Sequence, residues 1–175
     1  MIFLGLYAPV NAEVLKGERA YTVETARKIA FEMAPQTIDI AKYANDYFFD
    51  PNKKANINAL KKNKTNFINR TVNDCGYLDE KRGLAMYSVE YKNNPNIEYF
   101  YILPEGMLVG INIIKHENDF PVVMARYFLD GSLVDVILLV DYDNHFFFNK
   151  NKKLISHCVG DNCYNEKGKL IKKRK

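Results

Sequence analysis

The sequence has no tryptophan, only three histidines and three cysteines, and no apolar run approaching the roughly 20 residues that a membrane-spanning helix requires. It also has no phosphate-binding glycine loop, no dinucleotide-binding glycine pattern and no serine-nucleophile motif. These absences remove the enzyme classes whose sites are visible in a single sequence, and no cofactor is implied. What remains is a chain of 175 residues, the size of one domain, able to bury roughly two-thirds of its extended surface. Twelve tyrosines and 11 phenylalanines in a chain that is 47% hydrophobic exclude a disordered composition and favour strands. The net charge of +4 carries little information about a partner, because 19 lysines against six arginines, beside 19 asparagines, look like A/T-rich coding bias.

The chain opens with "MIFLGLYAPVNAEV", in which no charged residue precedes Glu13. An apolar stretch, Pro9 as breaker and the small residues Val10 and Ala12 match the end of a secretory signal, although a positively charged start is missing. Residues 1–12 are therefore expected to be a signal-peptide remnant and 13–175 a single exported domain, periplasmic or secreted. A cytoplasmic location with an ordinary first strand is the alternative.

From Thr22 the apolar residues recur at helical spacing, with Val23, Ala26, Ala30 and Met33 on one face and Pro35 as a stop, which predicts a helix over 22–34. "TIDIAKYANDYFF" repeats that pattern and predicts a second helix. Residues 51–75 are rich in Asn and Lys and offer at most a short, poorly faced helix after Asp50-Pro51, so the helical region is placed at 22–64. After Gly83 the period becomes two, and short turn-closed segments follow one another to residue 171. Short links between successive strands demand antiparallel pairing. The expected fold is α+β: N-terminal helices packed on an antiparallel meander of about seven or eight strands over 83–171. "IEYFYIL" and "LVDVILLV" are apolar at most positions, which predicts that both faces of the sheet centre are covered.

Four segments within the meander share a pattern: "YILPEGMLV", "YFLDGSLV", "FNKNKKLI" and "YNEKGKLI". An aromatic residue (Tyr101, Tyr127, Phe148 or Tyr164) precedes a turn, and a leucine (Leu108, Leu133, Leu154 or Leu170) enters the next strand. Such a pair can pack across a hairpin. The pattern resembles the β-hairpin units of bacterial proteins that carry variant MORN repeats, over roughly the last 75 residues. The resemblance implies a binding or scaffold module and no catalytic residue.

"CVGDNC" suits a two-residue turn with Gly160 first, which sets Cys158 opposite Cys163 in a pair close enough for a disulfide. Its short loop makes the stabilisation modest, about 2 kcal/mol. A redox pair is disfavoured because the spacing is not the helix-borne C-x-x-C, and zinc is disfavoured because His157 and Cys158 alternate across a strand. Cys75 is expected to be a buried thiol.

Two further clusters bear on function. "DYDNH" sets Asp141, Asp143 and His145 at alternate positions, either as a turn dressed with Asx residues or as part of a pocket for a small ligand or a hydrolytic reaction. The tail "KGKLIKKRK" has six basic residues in nine, ending in Lys172, Lys173, Arg174 and Lys175. It suits an anionic surface or, more simply, blunts an edge strand; without interleaved aromatics it does not suit nucleic acid. The function expected is that of a non-enzymatic binding protein for a protein or cell-envelope component, with Tyr87, Tyr91, Tyr99 and Tyr101 as the contact aromatics. A pocketed small-ligand or hydrolytic protein and, if cytoplasmic, a toxin-neutralising partner are the alternatives.

Overall fold

The structure, a computed structural model, describes residues 14–15, 20–43, 70–92, 94–103, 106–116 and 119–173. The expected signal remnant, the second helix beyond Tyr43, Arg174 and Lys175 lie outside them. The described residues form one α-helix, α1 (Val23–Met33), a short 3-10 helix (Ile40–Tyr43) and twelve strands. Strands β1 (Val14–Leu15) and β2 (Ala20–Tyr21) pair with each other. The other ten form one antiparallel sheet in which sheet order follows chain order. They are β3 (Arg70–Asp79), β4 (Leu84–Tyr91), β5 (Asn94–Leu103), β6 (Met107–His116), β7 (Val122–Phe128), β8 (Leu133–Leu139), β9 (Asn144–Asn149), β10 (Leu154–Val159), β11 (Asn162–Tyr164) and β12 (Leu170–Lys173).

The α+β meander is present, with two differences from expectation. There are ten meander strands, not seven or eight, and among the described residues one helix rather than several. Of the second predicted helix only the 3-10 turn is seen. The added strand β3 has an exposed central Cys75, correcting the expectation of a buried thiol. It is an edge strand, broken twice in register against β4, so its own side chains carry little apolar alternation to read.

Two compact units share the chain: Met1–Ala34, His116–Val123 and Val136–Lys175 in the first, Pro35–Lys115 and Met124–Asp135 in the second. In the first unit, Thr22 caps α1 by accepting from the Thr25 backbone N–H at 3.1 Å, and the chain leaves helical geometry at Ala34, before Pro35. Ala26 and Ala30 are fully buried, while Phe31 meets the core ring of Phe148 on β9 edge to face at 5.9 Å. Arg27 lies over the same ring, 5.8 Å from its centroid.

The second unit centres on β3 to β6. In β4, Ala85, Tyr87, Val89 and Tyr91 are buried, as strand alternation requires, and in β5 Ile97, Tyr99 and Tyr101 face inward. The intervening positions Glu98, Phe100 and Ile102 of this unit are half-buried. One face of the sheet centre is thus fully covered and the other only partly, short of the two covered faces expected. The segment after the helix is pinned to this unit by its backbone. Leu133 N–H donates to Gln36 O at 3.0 Å, Ile38 N–H to Gly131 O at 3.0 Å, and the Tyr127 hydroxyl to Pro35 O at 3.0 Å.

Three of the four recurrent segments form the same turn. Phe128, Asn149 and Asn165 each accept at their carbonyl from the N–H three residues on, and donate their own N–H to the carbonyl four residues on. The residue before the last is left-handed in each copy: Gly131 at φ 81°, Lys152 at 64° and Gly168 at 73°. Lysine therefore occupies a conformation that costs an L-residue about 1–2 kcal/mol. Lys152→Gly is expected to be neutral to about 1 kcal/mol stabilising, since the relief is offset by the greater freedom of an unfolded glycine. Gly131→Ala is expected to destabilise by about 1–3 kcal/mol, because the added Cβ would lie 2.1 Å from Ile38 O as well as in a left-handed backbone. Urea unfolding of the two variants checks both signs, and a stabilised Gly131→Ala would contradict the account.

Candidate functional site

The four tyrosines expected to form a contact face lie in the core. Tyr87 sits opposite Tyr101, and Val89 opposite Tyr99, across β4 and β5; all four tyrosine side chains are buried. Tyr91 and Tyr99 meet edge to face at 5.8 Å. The Tyr99 hydroxyl donates to Tyr43 O at 2.8 Å, so it ties the 3-10 segment to β5. Burial, with a smaller effect from neighbouring Tyr99, pushes the Tyr101 hydroxyl up to about 12, and burial with Tyr43 does the same for Tyr127. These phenols stay protonated at neutral pH, and that of Tyr127 donates to Pro35 O. Their alternation is that of core residues with polar tips.

Asp141 and Asp143 lie in the hairpin turn between β8 and β9, and His145 follows it as the second residue of β9. Asp141 Oδ1 accepts from Asp143 N–H at 2.8 Å, Val140 N–H donates to Asn144 O at 2.9 Å, and His145 Nε2 lies 2.9 Å from Tyr142 O. Asp141 and His145 are thus engaged with the backbone of the turn, the Asx dressing weighed against a pocket. Among the described residues no group of three or more His, Cys, Asp or Glu side chains is arranged to hold a metal ion.

Cys158 and Cys163 face each other in register, with sulfurs 2.04 Å apart, across a turn in which Gly160 has φ 54°. That is the pairing read from the sequence. The structure adds a neighbour that the sequence concealed. His157 is buried, stacked on Phe146 with ring centroids 3.9 Å apart and planes 8° apart, and its Nε2 donates to the buried Asn144 Oδ1 at 2.7 Å. Burial lowers the His157 pKa to about 4, so the ring is neutral at physiological pH. Asn144 sits 13 positions away in the chain, and nothing local to either residue announces the pair.

The two turns are joined, since Gly160 N–H donates to Asp143 O at 2.8 Å. At this end of the first unit Tyr142 is 83% exposed, and Phe120 meets its ring edge to face at 4.8 Å. Asp119, Asp143 and Asp161 are exposed around the same end. An outward aromatic is therefore held by a neighbouring ring and by two mutually bonded turns, one of them flanked by a cysteine pair at bonding distance. One large exposed aromatic thus stands among exposed aspartates at this end of the unit. Sequence alternation missed it because Tyr142 lies within a turn and Phe120 in the loop before β7. The large exposed residue in "DYDNH" was its one available signal.

Comparison with known proteins identifies no relative: no family model, no curated protein and no solved structure matches the chain.

Proposed function

We propose that this chain is a non-enzymatic binding module that works outside the cytoplasm and engages a protein or cell-envelope component through Tyr142, with Phe120 as its support. The observation that carries the reading is the exposure of Tyr142 on a tip held by the Gly160–Asp143 hydrogen bond and the Cys158–Cys163 pair. A tyrosine has few torsions to freeze, and a tip ordered before contact loses little further entropy on binding. The cysteine pair at bonding distance supports an oxidising compartment, and no described helix is long and apolar enough to cross a membrane.

Tyr142→Ala is expected to weaken retention of the purified protein on the envelope fraction of its host about 30-fold, the effect of a residue contributing about 2 kcal/mol. Its unfolding midpoint should be unchanged, because the side chain is outside the core. Equal retention of variant and parent would overturn the assignment of this tip. For the compartment, the intact mass from the native host should correspond to a chain that begins at Glu13 and is two hydrogens lighter than the reduced form. A species that keeps Met1 and three free thiols would overturn export.

A further inference from the structure

We propose that the outer edge of β12 is a docking site for an extended acidic segment of another protein, which joins the sheet as its next strand. The proposal rests on the chain being a binding module, but it uses a surface separate from Tyr142.

The recurrent turn supplies the first argument. In its three copies, Leu133 enters β8, Leu154 enters β10 and Leu170 enters β12. Strands β8 and β10 each have a neighbour on both sides, whereas β12 ends the sheet with no described strand beyond it. Leu133 and Leu154 are 2% and 4% exposed; Leu170 is 43% exposed and the adjacent Ile171 50%. Among the described residues the third copy therefore presents a backbone edge without a neighbouring strand, and apolar surface, at positions where the first two copies are covered. Addition of a strand satisfies both, with main-chain hydrogen bonds giving affinity and alternate side chains giving selectivity.

Charge selects the occupant. Lys172 and Lys173 are exposed on β12, and Lys167 and Lys169 on the turn leading into it. A second copy of this chain would set its own Lys172 and Lys173 against these, and like charges facing across strands are destabilising. Edge lysines thus act against self-pairing but favour a strand that brings carboxylates. Nucleic acid would answer the charge alone, leaving the backbone edge, Leu170 and Ile171 unused. Lys172 and Lys173 are consecutive and face opposite sides of the strand, so an extended segment with two adjacent acidic residues beside apolar ones meets all three features.

The test uses the full chain and a capped peptide repeating two glutamates and two valines, which presents carboxylates on both faces, with binding followed by calorimetry and by amide exchange over β12. The peptide is expected to bind and to slow exchange at Leu170–Lys173. The double variant Lys172→Glu, Lys173→Glu should weaken binding about tenfold, from the summed cross-strand charge terms, and should gain affinity for a lysine-valine peptide. Methylation of alternate peptide nitrogens should abolish binding by removing the backbone donors. Failure of the acidic peptide to bind, unchanged binding to the double variant, or equal binding of the N-methylated peptide would each overturn the proposal, as would displacement of bound peptide by duplex DNA at equal charge. Retention on the host envelope that is lost with Tyr142→Ala, alongside failure of the peptide to bind, would reject the edge site alone. Peptide binding without Tyr142-dependent retention would reject the tip alone.

Discussion

Replacing Phe148 by alanine is expected to destabilise the protein by about 3–5 kcal/mol, the cost of emptying a large buried aromatic site. Phe148 is fully buried on β9 and meets three side chains at once. Phe146 lies nearly parallel to it at 6.3 Å, and Phe31 of α1 approaches it edge to face at 5.9 Å. Arg27, on the same helix, donates from Nε to Lys152 O at 2.9 Å, pairs with Glu24, and lies over the Phe148 ring. The ring is thus what the apolar side of α1 packs against in this unit. Beyond the global loss, the variant should show faster amide exchange in Val23–Met33 than in β9 and β10, because an 11-residue helix has little stability of its own once its packing face is removed. Phe148→Leu, which keeps most of the volume, should cost less than half as much. Urea unfolding and exchange measurements check both parts, and a loss below about 1 kcal/mol for Phe148→Ala would show that the site collapses around the gap.

The second large effect is with pH. His157 is buried with a pKa lowered to about 4 from the ordinary 6.5. In the unfolded chain it takes up a proton as pH falls through 6.5, whereas in the folded protein it does so only near 4. Between those values the unfolded state binds more protons. Stability is therefore full above about pH 6.5, falls through the interval, and reaches its lowest contribution below about pH 4, a loss of about 3 kcal/mol. The cause is burial: the ring is stacked on Phe146 and removed from solvent, which disfavours its charged form. Carboxylates titrate over part of the same range, so the parent is compared with His157→Gln, which keeps a donor for Asn144 but does not ionise. The variant should lose stability at neutral pH through poorer packing yet show a shallower decline towards pH 4. Parallel pH profiles for the two proteins would show that His157 does not drive the acid response.

Much of the architecture is determined by the sequence itself. Thr22, the alanines at 26 and 30, and Pro35 specify α1 within a residue at each end, because a cap, a narrow apolar stripe and a stop are all local signals. Strands β4 to β11 follow from alternation between turn residues, and "CVGDNC" carries both its turn and its cysteine pairing within six positions. The recurrent turn was visible as an aromatic, a break and a leucine, since the same local backbone bonds recur three times. Only the tertiary structure decided the rest. The tyrosines of β4 and β5 alternate in a way that suits either a core or a contact face, and the choice depends on what covers that face. Strand β3 owes its form to pairing with β4, not to a pattern in its own residues. The His157–Asn144 bond and the Phe120–Tyr142 pair join residues distant in the chain, and a buried Leu154 differs from an exposed Leu170 in that, among the described residues, β10 has a neighbour on both sides and β12 on one. Local backbone chemistry is written in neighbouring residues; burial is a property of what lies across from them, and that is settled only when the strands have taken their places in the sheet.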